Sequence, residues 1–117
     1  MVQQPEEPRE PSTPPPAAPK KRGKSPEQYE AELDAYYLAM RQHFAEWAKF
    51  NREKAIRAGV IRYEWLAMDV HGTCKVARRN KGKTFAYNQP PKDGHPCEGE
   101  CTSPDWCRCS AIPIIKV

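Results

Sequence analysis

The sequence predicts an α+β fold: one long N-terminal helix followed by a small three-stranded antiparallel sheet, with a cysteine-rich lobe stapled by zinc or by disulfides. Three observations predict it. Apolar residues recur at helical spacing between Tyr29 and Ala48, the pattern turns to strict alternation after Gly59, and all five cysteines lie at or beyond position 74.

The helix has a marked beginning. Ser25-Pro26-Glu27-Gln28 offers a serine N-cap, a proline at the first helical position where its missing N–H costs nothing, and a glutamine at the capping-box position. Beyond it Tyr29, Leu33, Tyr36, Tyr37, Met40, Phe44, Trp47 and Ala48 return at steps of three and four, the period of one helical face. Gly59 ends the run, with Lys54 and Arg57 well placed near the carbonyl end. A helix of roughly 30 residues is about 45 Å long. The rest of so short a chain covers only its C-terminal half, so the face from Tyr29 to Ala48 calls for a partner: a copy of itself or another protein.

After the helix, Ile61, Tyr63, Trp65 and Ala67 share one face of a half-buried strand, with Arg62 and Glu64 on the other. Thr84 to Tyr87 is a second strand after the turn-forming Asn80-Lys81-Gly82. Ala111 to Val117 is a third, and its Pro113 marks an edge position or the start of the strand. Three segments follow: a disordered proline-rich leader over 1–24, the amphipathic helix over 25–59, and the cysteine-rich β lobe over 60–117. The leader holds seven of the thirteen prolines and no aromatic residue, leucine or isoleucine, so it cannot build a core.

Charge and hydropathy narrow the function classes. A net charge of +4 is mild for a nucleic-acid binder, although Lys20, Lys21, Arg22 and Lys24 run together and Arg78, Arg79, Lys81 and Lys83 crowd one turn. Those last four are the candidate contacts for phosphate or an acidic partner, or the polar tip of a hairpin. No run approaches the roughly 20 apolar residues of a membrane span, and the polar start has no apolar h-region, so the chain is expected to stay soluble in a reducing cytosol.

The run "HPCEGECTSPDWCRC" sets the chemical question. A core this thin needs a staple, and Cys74, Cys97, Cys101, Cys107 and Cys109 with His95 are candidate zinc ligands. Cys97 and Cys101 have half-knuckle spacing, Cys107 and Cys109 are closer than a usual knuckle, and Cys74 has only His71 nearby. Disulfides would staple equally well and leave one cysteine over. Buried thiols acting as small hydrophobes, and a nucleophilic cysteine with His95 as its base, stay open as well.

The same region carries a resemblance. Trp65, Asp69, Cys74, Gly82-Lys83-Thr84-Phe85, Pro90-Pro91, His95-Pro96, Cys107-Arg108-Cys109 and the apolar Ile112 to Ile115 occur in the order found in the C-terminal half of the phage Mu F-like minor head proteins, also called the phage head morphogenesis family. The chain resembles that family over residues 45 to 117. It departs from the family twice: Lys75-Val76-Ala77 stands where many members place a second cysteine after Cys74, and "CEGECTSPDW" is inserted before Cys107. The resemblance implies a non-enzymatic minor capsid protein made in the host cytoplasm and carried in the virion, near the portal or packaged DNA, with other head or portal proteins as partners of the helix. Two alternatives belong to other classes: a nucleic-acid-binding zinc module using Arg78, Arg79, Lys81 and Lys83, and a small metal-dependent nuclease or toxin-like domain using Asp69, His71 and His95.

Overall fold

The computed structural model describes residues 8–12, 14–68, 74–99 and 105–115. Asp69, His71 and Cys101 therefore lie outside the described residues.

The long helix, α1, runs from Pro26 to Arg57. Ser25 caps it as its sequence requires, the Ser25 Oγ accepting the Gln28 N–H at 3.2 Å. At the other end Gly59 takes φ of 88°, a conformation that favours glycine, and the Val60 N–H returns to the Ala55 carbonyl at 3.0 Å. The chain then enters β1, Arg62–Leu66, which is the middle strand of an antiparallel sheet ordered β2-β1-β3, where β2 is Thr84–Ala86 and β3 is Ser110–Ile114. The predicted α+β architecture is thus present, with one helix ahead of three antiparallel strands.

Register decides which face is buried. Tyr63 pairs with Phe85 and Pro113, and Trp65 with Ala111, so these side chains share the inner face. Tyr63 is fully buried and Trp65 nearly so; with Ala55 from α1, Cys74, Val76, Ala77, Tyr87 and Cys109 they form the core. Ile61, expected on that face, is instead 72 % exposed, although its carbonyl accepts the Tyr87 N–H at 2.9 Å.

Two features depart from the sequence expectation. Arg78 and Arg79 do not sit on a hairpin tip: Lys75–Asn80 forms a short helix, α2, which turns Val76, Ala77 and Asn80 inward. Six residues are too few to show a helical period. Secondly, part of the α1 face expected to need a partner is met by the chain itself. Trp106 returns to the middle of α1, lying 5.9 Å from Tyr36, 6.0 Å from Tyr37 and 6.4 Å from Phe44 between ring centroids. Arg108 lies over that indole at 4.1 Å and is held by both oxygens of Asp105. The described leader residues carry no helix or strand; Arg9 and Pro11 border a shallow groove with Glu46, Lys49 and Phe50 of α1.

Candidate functional site

The segment from Asp93 to Gly99 is pinned to the lobe from three sides. Asp93, buried, receives two hydrogen bonds from Arg79, at 2.8 and 3.2 Å, and one from the Asn80 amide at 3.4 Å, which ties the loop to α2. Glu98 forms an ion pair with Arg52 of α1. Between them Gly94 and Gly99 press backbone on backbone: a Cβ at Gly99 would stand 1.6 Å from the Asp93 carbonyl oxygen. No side chain fits there.

His95 points from this loop into the core. Its Nδ1 lies 3.0 Å from the Tyr63 hydroxyl, its ring packs beside Tyr63 and Tyr87, and it also bonds to the Tyr87 main chain. Burial holds its pKa below the ordinary 6.5, the Arg52 charge adds to the lowering, and the Tyr87 bond opposes it. The same burial pushes the Tyr63 phenol up to about 12, with Tyr87 and Glu98 adding to the rise. His95 is therefore a satisfied core histidine, with its ring already engaged where a metal or a cysteine proton would need it.

A stability signature follows. In the unfolded chain the ring takes its proton at its ordinary pKa, whereas in the folded chain it does so only at lower pH, so between the two values the unfolded state binds more protons. The stability that neutral His95 contributes is full above pH 6.5 and is lost as pH falls through that window. Glu98 acts in the opposite sense and in a more acidic range, because burial raises its pKa against the pull of Arg52. The denaturant midpoint should fall between pH 7.5 and 5.5, and His95→Gln should flatten that fall. An unchanged slope in the variant would assign the effect to another group.

The thiols lie beside this loop. Cys97, with φ of 63°, directs its Sγ at the carbonyls of Cys107 and Cys109, at 3.3 and 3.0 Å. The Cys107 thiol stands between those of Cys97 and Cys109 and interacts with both. Its Sγ accepts the Cys109 N–H at 3.4 Å. The Cys109 thiol in turn lies against the Trp65 indole and the Met68 main chain, both of which favour a negative sulfur. Trp65 Nε1 is buried and, among the described residues, has no partner within hydrogen-bond geometry. At Cys107 the bond with Cys109 lowers the pKa, but the Cys97 thiol and burial outweigh it and push the group up to about 12; Cys109 is raised as well, by Cys107 and then by burial.

The predicted site residues are thus divided. Cys97, Cys107 and Cys109 come together. Cys74 is 2 % exposed at the N-cap of α2, within the core. No disulfide joins the four described cysteines, and among the described residues no three His, Cys, Asp or Glu side chains already surround a point that would hold a metal ion. Of the basic candidates, Arg79 is bound to Asp93, while Arg78, Lys81 and Lys83 are exposed on and just after α2. Asp93, Gly99, Arg52 and Trp106 were not singled out by the sequence, although Trp106 directly before Cys107-Arg108-Cys109 is a local signal that this segment must bury a large ring.

A cleft of about 540 Å³ between α1 and β3 is lined by Trp47, Arg52, His95, Glu98 and Ala111 among others. Two of its polar groups are engaged within the chain, Arg52 in an ion pair with Glu98 and His95 in a hydrogen bond with Tyr63, while Lys54 also lines it. Comparison with known proteins finds no matching family model, no matching curated protein and no matching solved structure.

Proposed function

We propose that this chain is a structural component of a phage head, of the minor head protein type, acting in capsid assembly near the portal or the packaged DNA. One observation supports the reading above others. The residues that carry the resemblance are scattered along the sequence, yet Trp65, Cys74 and Cys109 belong to one core, Phe85 packs against it, and His95 is bonded to its Tyr63. A pattern spread over 45 residues that closes into one small lobe reads as a fold signature. The engaged state of His95, Arg52 and Glu98 argues for a structural rather than a catalytic role.

On this reading the lobe holds the C-terminal two thirds of α1, and the first turns present Tyr29 and Leu33 to a head or portal protein, or to a second copy. The helix is the handle and the lobe is its mount. No helix of the described residues is long and apolar enough to cross a membrane, which accords with a particle-bound protein but does not select it.

The experiment is a pull-down of phage portal protein with this chain as bait. Tyr29→Arg with Leu33→Arg should abolish the interaction while leaving the thermal midpoint within about 2 °C, since neither residue is buried. Wild-type chain that fails to co-purify with portal or any other head protein would overturn the reading. A second reading has its own observation: Arg78, Lys81 and Lys83 project from one short stretch. If they bind DNA, affinity must fall steeply with salt, and replacing all three by glutamine must flatten that dependence.

A further inference from the structure

The composition of the leader predicts disorder, yet its described residues, 8–12 and 14–24, cover one edge and not the other. Pro8, Pro11, Pro16 and Pro19 are half-buried, whereas Pro14, Pro15 and every other described residue from Arg9 to Gly23 are exposed. Prolines in one stretch can differ in this way only by what they face. The step of three within each half-buried pair is one turn of a polyproline II helix. We infer that residues 8–24 form a polyproline strap docked antiparallel along α1, so that the chain's own leader occupies a second side of that helix. The inference stands apart from the assembly reading, because it uses only the leader and α1.

Both ends of the strap meet α1. At its root the chain reverses at Gly23, whose φ of 79° favours glycine, and Lys24 forms an ion pair with Glu32. At its far end Arg9 and Pro11 border one groove with Glu46, Lys49, Phe50 and Glu53. The lengths agree. The twelve steps from Pro11 to Gly23 span about 37 Å as polyproline II, and the 24 helical steps from Pro26 to Phe50 span about 36 Å. A flexible coil of twelve residues averages only about 20 Å, so the leader reaches Phe50 by being extended.

The helix carries a matching surface. Glu32, Ala39, His43, Glu46, Phe50 and Glu53 recur at steps of three, four and seven, which places them on one stripe of α1. The lobe meets a different side, through Tyr37, Phe44 and Ala55. Phe50 is 8 % exposed although it is no part of the lobe's core, and the His43 Nδ1 is enclosed with no hydrogen-bond partner among the described residues. Charge favours the leader as occupant: the stripe holds three glutamates, and the strap holds Arg9 at one end and Lys20, Lys21, Arg22 and Lys24 at the other. Proline suits the task because it covers apolar surface without burying a backbone N–H that needs a partner, and its chain is already stiff before it docks.

The test uses the full chain under reductant. Nuclear Overhauser spectra should connect the Pro11 ring with the Phe50 ring, and a sample mixed from labelled and unlabelled copies should show that the contact lies within one chain. Trypsin cleavage after Lys20, Lys21 and Arg22 is then compared between two variants, each rate divided by that of a free peptide of residues 8–24 with the same substitutions. Replacing Pro8, Pro11, Pro16 and Pro19 by serine should speed cleavage about tenfold, since cutting tracks the undocked population, and Pro14→Ser with Pro15→Ser should leave it within about twofold of wild type. If the first variant does not fold, the Pro11 contact in the wild-type chain still decides. A missing Pro11–Phe50 contact, a contact found only between copies, or equal cleavage of the two variants would each overturn the inference. The portal pull-down is scored separately, so either proposal can fail without the other.

Discussion

Tyr63→Ala is expected to unfold the β lobe. The side chain is fully buried on β1 and touches Phe85, Tyr87 and His95, with ring centroids 5.8, 5.0 and 5.5 Å away. Truncating a buried aromatic residue costs about 3–5 kcal/mol, against a total of about 5–15 kcal/mol for an ordinary domain. The loss here has a second part, since the His95 Nδ1 is left without its 3.0 Å hydroxyl partner. Urea titration followed by tryptophan fluorescence should show a variant with no cooperative transition, or one shifted to very low denaturant. Tyr63→Phe separates the two parts: it keeps the ring, removes the hydroxyl, and should cost about 1–3 kcal/mol for the stranded polar group. A Tyr63→Ala chain within 1 kcal/mol of wild type would mean that the core is not centred on β1.

Gly99→Ala is the second large effect, by the opposite mechanism. One added carbon would stand 1.6 Å from the Asp93 carbonyl oxygen and 3.1 Å from the Gly94 Cα, and both obstacles are backbone. The segment must open, pulling Asp93 from Arg79 and Glu98 from Arg52. Overpacking of this kind costs about 1–3 kcal/mol, and the broken ties put the expected loss at the upper end of that range. Hydrogen exchange should show lost protection in Gly94 and Glu98, whose amides donate to Pro91 and His95, while α1 amides stay protected. Equal protection in wild type and variant would show that the loop can relax around a methyl group.

How far each feature could be read from sequence depends on whether its cause is local. The Ser25 cap, the Pro26 start and the Gly59 stop are local chemistry, and α1 falls between them as expected. Alternation along Tyr63 and Trp65 sufficed for β1, because one buried face of a central strand leaves period two behind. Pro113 announced its edge strand in the same way. α2 left no such trace: its six residues present only Val76, Ala77 and Asn80 inward, and propensity over so short a window is silent.

The site was legible in composition but not in partition. Spacing placed five cysteines and one histidine in a common pool, and nothing in spacing distinguishes a sulfur that meets another sulfur from one that packs in the core. Only the fold does that, by bringing Cys97 to Cys107 and by filling the space beside Tyr63 with His95. The return of Trp106 to Tyr36, Tyr37 and Phe44 joins positions far apart in sequence, so the apolar stripe on α1 looked less covered than it is.

Pro113 has one more effect. In β1 the Trp65 N–H bonds toward β2, to the Lys83 carbonyl, so odd-numbered residues of β1 face β2 and even-numbered ones face β3. Pro113, opposite Tyr63, therefore turns its imino nitrogen to the outer rim, where an extended chain from a neighbour would look for a hydrogen. It finds none. The outer rim of β3 thus lacks one donor in the middle of the strand, which weakens any ladder that a neighbouring strand could build along it.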